Sequence, residues 1–363
     1  MKRFIAFVFM LFLFQSCMKD DYPVGENVFY DDADGVFITN EGNFMYGNAS
    51  LSYYSPEKKT IINDAFFTAN GIPLGDVAQS MEIRNGLGYV VVNNSGKIYV
   101  IDIKTFKLVG KITGLTSPRY IYFMSDEKAY VTDLYAKAIT IINPKTYTVT
   151  GKIDVNNNYS QFYQHPTEQM VIYNNWLFVS CWSYDDKVLV IDTNTDKVVK
   201  EITVGKQPNS IVIDKNNKVW VICDGGYKGS PYGYENPSLI KIDAKTFSIE
   251  KVFDMEKGEN QPSKLTINGH RDTIYYLNNG VWQMPVNAQQ LSANPLIPEK
   301  NPGKKDKLFY GLGINPKTSE VYITDAIDYL QNGILYRYLP SGKPVDSCKV
   351  GIIPGSFCFK DND

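Results

Sequence analysis

Histidine is almost absent from this sequence, which contains two, His165 and His270, in 363 residues. Enzymes that need a general acid or base use histidine most often, so this scarcity argues against a hydrolase or a lyase. The sequence also lacks a Gly-x-Ser-x-Gly nucleophile elbow, a phosphate-binding loop and a zinc-type cysteine pair. We therefore expect a protein that is not an enzyme and that has no metal or cofactor of its own.

An excess of charge of one sign is missing as well. The 37 Lys and Arg residues nearly balance the 39 Asp and Glu residues, which leaves a formal charge of −2. A chain with this balance has no field with which to hold a polyanion, so we expect no nucleic-acid partner.

Cysteines are few, and their spacing fits no metal motif. Apart from Cys17 they are Cys181, Cys223, Cys348 and Cys358. A chain of this length can bury enough apolar surface without disulfides. We expect these four residues to be mostly free, buried thiols.

Apolar runs long enough to cross a bilayer are also lacking, since a span needs about 20 residues. The apolar run Phe4–Phe14 is shorter and follows Lys2 and Arg3, as in an export signal. It ends in Phe-Gln-Ser-Cys17, which resembles a lipobox, where the cysteine is acylated. We predict a lipoprotein signal peptide over 1–16 and lipidation at Cys17, with an uncleaved membrane anchor as the alternative.

Acidic residues follow that cysteine directly. Asp20 and Asp21 give a pattern that resembles the surface-export signal of lipoproteins in the Bacteroides group. This resemblance implies a protein at the outer membrane, facing the cell exterior and attached through its lipid alone. The alternative is that residues 17–29 form an ordinary solvated tether.

A repeat fills the rest of the chain. An apolar strand ending in Asp or Asn, a polar loop, a second strand and a Lys-Thr turn recur seven times; clear copies include Tyr89–Asn93 with Lys97–Thr105, and Leu177–Cys181 with Lys187–Thr195. A further short strand, often opened by proline, precedes each copy except the first. Four short strands with period-2 alternation per repeat predict the blades of a β-propeller.

The two ends of the repeat are complementary. Pro354–Phe359 reads as the opening strand of a unit that has no successor, and the first unit, at Val36, lacks that strand. Pairing the two removes an exposed sheet edge. We predict an all-β, seven-bladed β-propeller over 30–363, closed by the C-terminal strand in the first blade.

The repeat resembles the YncE-like bacterial propellers over nearly the whole predicted mature chain. Within it, Thr39–Asn43 (TNEGN) followed by Gly47–Pro56 (GNASLSYYSP) resembles the first blade of the BtuG-type surface lipoproteins of Bacteroides. This second resemblance implies a corrinoid such as cobalamin, or a precursor, as ligand. It also implies a BtuB-like TonB-dependent outer-membrane transporter as partner.

Candidate ligand contacts lie in two classes of loop that reach the same end of the ring. Loops rich in Tyr, Gly and Asn combine large rigid contact area with hydrogen bonding. The aromatic and histidine candidates are Phe44, Tyr46, Tyr135, Tyr163, His165, Trp182, Tyr184, Tyr227, Tyr232 and Tyr329. The polar candidates are Asn93, Arg119, Gln207, Asn209, Gln261 and Lys264.

Several of these patterns also have plainer interpretations. Tyrosines can fill gaps between blades, and the Asn or Asp that ends a strand can bond nearby backbone. His165 fits either a hydrogen-bonded loop residue or a contact with a ligand or a metal centre. The same aromatic face also suits a glycan or a partner protein as ligand. A third alternative for the function is a propeller lyase.

Overall fold

The computed structural model describes residues 30, 32–157, 165–255, 261–299 and 307–360. Within these residues the chain forms seven four-stranded antiparallel sheets and one short helix, α1 (Ala65–Asn70). No helix in these ranges has both the length and the apolar character that a membrane span needs. The predicted signal peptide 1–16, the tether 17–29 with Cys17, and Tyr163 lie outside the described residues.

Each sheet is one blade, numbered from the sheet that contains the first strand. Blades one to three consist of β28 (Pro354–Phe359), β1 (Val36–Asn40), β2 (Ser50–Ser55) and β3 (Thr60–Ile62); β4 (Ala78–Arg84), β5 (Leu87–Val92), β6 (Lys97–Asp102) and β7 (Leu108–Ile112); and β8 (Pro118–Phe123), β9 (Ala129–Asp133), β10 (Ala138–Asn143) and β11 (Thr148–Asp154). Blades four and five consist of β12 (Thr167–Tyr173), β13 (Trp176–Cys181), β14 (Lys187–Asp192) and β15 (Lys197–Thr203); and β16 (Pro208–Ile213), β17 (Lys218–Cys223), β18 (Ser238–Asp243) and β19 (Ile249–Asp254). Blades six and seven consist of β20 (Ser263–Ile267), β21 (Thr273–Leu277), β22 (Gly280–Pro285) and β23 (Ile297–Pro298); and β24 (Phe309–Ile314), β25 (Val321–Asp325), β26 (Asn332–Tyr338) and β27 (Pro344–Ile352).

The Lys-Thr turns of the repeat are closed by the aspartate that precedes them. The Asp102 carboxylate accepts hydrogen bonds from the backbone N–H groups of Lys104, at 3.0 Å, and Thr105, at 2.8 Å. Asp243 makes the same two bonds in blade five. Because these side chains satisfy the turn backbone locally, the repeat places a hairpin at the same point of each unit.

Alternation along each strand packs neighbouring blades against one another. In β17, Val219 and Val221 pack into the cluster shared with blade four, while Trp220 and Ile222 pack into the cluster shared with blade six. All four side chains are buried, because successive side chains of a strand point to opposite faces of its sheet. Both faces of a blade are therefore core. Cys181 and Cys223 are free, buried thiols in this core, as the sequence predicts.

The ring closes as the sequence predicts. Strand β28 pairs antiparallel with β1, with Phe359 opposite Val36 and Phe357 opposite Ile38. The innermost strands β4, β8, β12, β16, β20, β24 and β28 each contact the next, and β28 contacts β4. The seven-bladed propeller is thus continuous around its axis.

The described chain begins at the end of the propeller opposite to the one at which the inner strands begin. Tyr30 stacks on Phe106, with ring centroids 4.4 Å apart and planes 7° apart. Phe106 belongs to the β6–β7 turn, and the register of blade two puts that turn opposite the end at which β4 begins. The C-terminal Lys360 meets the same region, because its ammonium donates to the Tyr30 carbonyl at 2.8 Å.

Candidate binding site at one end of the propeller axis

Every innermost strand contains a β-bulge directly after its first residue. In all seven blades the pairing with the next strand shifts register at that point. A bulge leaves an unpaired residue and re-aims its side chain. The residues at this second strand position are Gln79, Arg119, Glu168, Asn209, Lys264, Tyr310 and Gly355, which we call the axial ring.

The axial ring divides the propeller axis into two cavities. The cavity at the end where the inner strands begin has a volume of about 700 Å³ and is lined by six of the seven ring residues. This size falls within the usual range of small-molecule sites, about 300–1,000 Å³. We call it the axial cavity.

One side of the ring is a buried ion pair. Arg119 Nε lies 2.7 Å from Glu168 Oε1, and the two side chains are 15% and 2% exposed. The Arg119 Nη1 group also donates to Gln79 Oε1 at 2.5 Å. Burial raises the pKa of Glu168 above its ordinary value, although the Arg119 cation opposes this shift. These contacts hold the Arg119 side chain in place before any ligand binds.

The opposite side of the ring is built around Glu41, from the loop that follows β1. Tyr310 donates its hydroxyl to Glu41 Oε2 at 3.0 Å, and Lys264 donates its ammonium to the Gly355 carbonyl at 2.9 Å. A Cβ atom on Gly355 would lie 2.4 Å from Glu41 Oε1, so a glycine here leaves room for that carboxylate. Burial lowers the pKa of Lys264 and, with Glu41, raises the pKa of Tyr310 well above its ordinary value. At neutral pH Tyr310 is therefore a hydrogen-bond donor rather than a base.

Asp224 connects the ring to the loops above it. Its Oδ2 atom accepts a hydrogen bond from Trp182 Nε1 at 3.1 Å, and Asn209 Nδ2 lies 3.4 Å from the same atom. The other oxygen accepts the Gly226 backbone N–H at 2.8 Å. This carboxylate fixes the plane of the Trp182 indole in the cavity wall, where the ring also meets the Arg119 guanidinium at 5.8 Å.

Exposed aromatic side chains surround the mouth of the axial cavity. Phe44 is 63% exposed and Tyr135 56% exposed, and both line the cavity together with Tyr329. The loops of blades one and seven are joined there, because Asn43 Nδ2 donates to the Tyr329 carbonyl at 2.6 Å. A polar, partly charged floor below an aromatic rim suits a ligand that is flat and apolar in its plane and polar at its edge.

The structure brings nine of the sixteen sequence candidates together in the axial cavity. They are Phe44, Asn93, Arg119, Tyr135, Trp182, Asn209, Gln261, Lys264 and Tyr329. Of these, Asn93 also has a structural role that the sequence leaves open, since its amide donates to Ser117 Oγ and to the Pro118 carbonyl. Asp133 has this role too, because its carboxylate accepts the Ser117 backbone N–H at 2.8 Å.

A separate, smaller cavity of about 230 Å³ between blades four and five is lined by four other sequence candidates. They are His165, Tyr184, Gln207 and Tyr232. Here the rings of Tyr184 and Tyr232 pack with centroids 4.8 Å apart. The last described candidates, Tyr46 and Tyr227, are exposed on loops and line neither cavity.

Sequence reasoning missed four ring residues, Gln79, Glu168, Tyr310 and Gly355, and also Glu41. Arg119, Asn209 and Lys264 are candidates because a proline opens or directly precedes their strands. In blades two and seven the strands begin with Ala78 and Phe309 and no proline directly precedes them, so Gln79 and Tyr310 carry no such marker. Glu168 and Gly355 do carry it, through Pro166 and Pro354, and were missed all the same. Aligning every inner strand by its second residue would have found them.

The second cavity on the axis lies beyond the ring and has a volume of about 620 Å³. Its wall mixes polar and apolar surface, and the apolar side chains in it include Ile83, Tyr122, Ile314 and Phe357. Glu82 also lies in this wall, open to the channel yet surrounded by protein, and its removal from bulk solvent raises its pKa to about 7.

The ring of blades and its two axial cavities define the chain as a seven-bladed β-propeller. The chain belongs to the family described as a domain of unknown function, DUF5074, which matches residues 34–351. No curated protein matches its sequence.

Solved structures that resemble this chain share its fold at low identity. One is a quinonprotein alcohol dehydrogenase-like protein from Bacteroides thetaiotaomicron, 16% identical, covering 91% of this chain and 79% of that one with a TM-score of 0.68. Another is the periplasmic gluconolactonase of Pseudomonas aeruginosa, 11% identical, covering 90% and 98% with a TM-score of 0.63. A third is the hydrazine synthase of Kuenenia stuttgartiensis, 15% identical, covering 77% and 88% with a TM-score of 0.62. Enzymes are among these structures, so the fold does not decide whether this chain is an enzyme. That it is not an enzyme stays a prediction.

Proposed function

We propose that this chain is a binding protein whose axial cavity captures a corrinoid, such as cobalamin or a precursor. The observation that carries the proposal is the axial ring, a preformed floor of hydrogen-bonding side chains below an aromatic rim. A corrinoid is a broad disc with amide groups around its edge. Amides are donors and acceptors together, and the ring offers both through Gln79, Asn209 and Tyr310.

Charge also favours a ligand of low net charge. The cations of Arg119 and Lys264 face the carboxylates of Glu41, Glu168 and Asp224 around the cavity, so charges of opposite sign nearly cancel. A floor of this kind supports hydrogen bonding without a strong field of one sign. Little ordering is needed on binding, because the ring side chains already hold one another, and this limits the entropy cost.

The proposal extends to the cell surface. Cys17 would be acylated and would anchor the protein to the outer membrane, and Asp20 and Asp21 would direct it to the outside. A TonB-dependent transporter would then receive the ligand. Replacing Cys17 with Ala should release the protein from membranes, whereas replacing Asp20 and Asp21 should retain the lipoprotein inside the cell. Degradation by protease added to intact cells should separate these outcomes.

Titration of the purified protein with cyanocobalamin and with cobinamide tests the ligand. We expect saturable binding to both, seen as a change in the corrin absorption spectrum and as a coloured complex after gel filtration. Binding of a glycan, with no binding of either corrinoid, would overturn the proposed ligand class. Turnover of a substrate at the ring would overturn the proposal that the chain is a binding protein and not an enzyme.

A further inference from the structure

Three side chains of different metal-binding types meet beside the axial cavity, in blade four. They are His165, Cys181 and Asp185, and one ligand atom of each lies within 4.8 Å of the others. His165 Nδ1 is 2.6 Å from Asp185 Oδ2, and His165 Nε2 is 3.7 Å from Glu201 Oε1. His165 is 6% exposed and Cys181 is fully buried. We call His165, Cys181 and Asp185 the blade-four cluster.

The backbone of blade four holds the cluster in place. Cys181 is the last residue of β13 and pairs with Thr167, which begins the neighbouring strand two residues after His165. The His165 N–H donates to the Val155 carbonyl at 2.8 Å. The Asp185 carbonyl accepts the Gln207 N–H at 2.8 Å, and its side-chain Oδ1 accepts the Asp186 N–H at 2.7 Å. The three side chains are therefore brought together by contacts that do not depend on an ion.

We propose that the blade-four cluster binds a zinc ion through Cys181 Sγ, His165 Nδ1 and an Asp185 carboxylate oxygen, with a solvent molecule as the fourth ligand. Sulfur, imidazole nitrogen and carboxylate oxygen are the three ligand types that Zn²⁺ takes in proteins. Ligand atoms around tetrahedral zinc lie about 3.3–3.8 Å apart, given bonds of about 2.0–2.3 Å. The cluster thus needs side-chain movements on the order of 1 Å to close on the ion. Glu201 lies on the other side of the imidazole, 3.7 Å from His165 Nε2, where a small movement would let it accept that N–H while Nδ1 holds the ion.

The charges in the cluster suit a dication. Binding replaces the thiol proton of Cys181 by zinc, and that proton leaves to the solvent, so a sulfur–zinc bond forms as the sulfur–hydrogen bond breaks. One nearby cation, Lys187, is paired with Asp186 at 2.5 Å. Lys206, Tyr184 and Tyr232 also line the cavity that the cluster faces. Without zinc, the hydrogen bond between His165 and Asp185 satisfies both groups.

Zinc at this position would brace one wall of the axial cavity. Trp182 lies between two of the ligands in the sequence and lines that cavity. With Cys181 and Asp185 held by one ion, the loop that positions the indole would lose conformational freedom. The site is thus a structural one, distinct from the ligand cavity, and does not rest on the identity of the ligand.

The test uses the untagged full chain, reduced and freed of metal with a chelator, and then titrated with Co²⁺. We expect one equivalent to bind, with the near-ultraviolet charge-transfer band of a cobalt–thiolate bond, and Zn²⁺ to displace it. Cys181→Ser should abolish the band. Its matched control is Cys223→Ser, since Cys223 is a buried thiol at the same position of blade five and should leave the band unchanged.

Two further variants keep the proposal testable if Cys181→Ser does not fold. His165→Ala and Asp185→Asn should each weaken Co²⁺ binding at least tenfold, whereas His270→Ala should not. Calorimetry in buffers of different ionisation enthalpy should detect one proton released per zinc. Failure to bind either ion at micromolar concentration, a band that survives Cys181→Ser, or equal effects of His165→Ala and His270→Ala would overturn the proposal.

Discussion

Arg119 and Glu168 come from the inner strands of neighbouring blades, yet their side chains form a buried ion pair at 2.7 Å in the floor of the axial cavity. Both occupy the bulge position of their strand, so the same backbone irregularity aims both side chains inwards. Gln79, the bulge residue of the preceding blade, accepts a further hydrogen bond from Arg119. The ring therefore links blades two, three and four at the axis.

Glu168→Ala should destabilise the protein strongly, because it leaves the Arg119 cation buried without its partner. We expect a loss of about 3–5 kcal/mol in the free energy of unfolding, measured by urea denaturation. The double variant Arg119→Met with Glu168→Met should recover much of this loss, since no uncompensated charge remains. A double variant as unstable as Glu168→Ala would contradict this explanation.

Trp182→Ala should weaken corrinoid binding at least tenfold, which corresponds to about 1.4 kcal/mol. The indole is a rigid part of the cavity wall, held by Asp224, and such aromatic side chains dominate binding energy. Trp282→Ala is the matched control, because Trp282 stacks with Tyr276 and lines neither axial cavity. The dissociation constants of both variants are measured by titration with the corrinoid. Equal losses of affinity in Trp182→Ala and Trp282→Ala would contradict the proposal that the axial cavity binds the ligand.

Deleting residues 354–363 should lower the melting temperature of the whole domain. The deletion removes β28 and leaves β1 as an exposed sheet edge. It also removes the contacts of Phe357 and Phe359 with Tyr322. Burying each phenylalanine contributes up to about 3 kcal/mol, against a typical total stability of about 5–15 kcal/mol. Deleting residues 361–363 alone should have little effect in the same calorimetric scan.

Stability should fall as the pH rises from about 4.5 to about 7, through the titration of Glu82. Partial desolvation within the channel raises the pKa of this carboxyl to about 7, so in that range the folded state holds a proton that the unfolded state has lost. Glu82→Gln should remove this part of the slope. We expect an effect of about 1–2 kcal/mol, smaller than the full shift would give because Glu82 is open to the channel. Urea midpoints at about pH 5 and about pH 8 measure it, and an unchanged slope in Glu82→Gln would contradict the assignment.

The sequence predicts the fold well because the repeat determines it locally. Alternating apolar residues, the aspartate that closes each turn, and the unmatched strand Pro354–Phe359 together specify blade, hairpin and closure. The site was harder to predict, because its floor depends on seven bulges, and a bulge leaves no fixed sequence mark. A proline opens or directly precedes five of the seven inner strands, yet only Arg119, Asn209 and Lys264 were predicted from it. Glu168 and Gly355 carry the same mark and were missed, and Gln79 and Tyr310 carry none.

Burial of loop residues was the other difficulty. His165 and Trp182 belong to adjoining loops at the same end of blade four, and the sequence treats them alike. In the structure Trp182 faces the axis, whereas His165 turns towards Asp185 in a different cavity. Which way a loop side chain turns depends on backbone contacts such as that between His165 and Val155, which residue order alone does not reveal.

The stacking of Tyr30 on Phe106 bears on how the protein would work while attached to a membrane. Because the described chain begins opposite the axial cavity, a molecule anchored through Cys17, as proposed, would present the open mouth of that cavity to the medium, where it could meet ligand arriving from solution. Delivery to the proposed membrane partner would then require the whole domain to turn over. Residues 17–29 can reach at most about 45 Å when fully extended, and a blade of six- or seven-residue strands is only about 20–25 Å tall. A tether of this length would allow one molecule to bind ligand with its axial cavity facing outwards and then to turn that cavity towards its partner while it stays anchored.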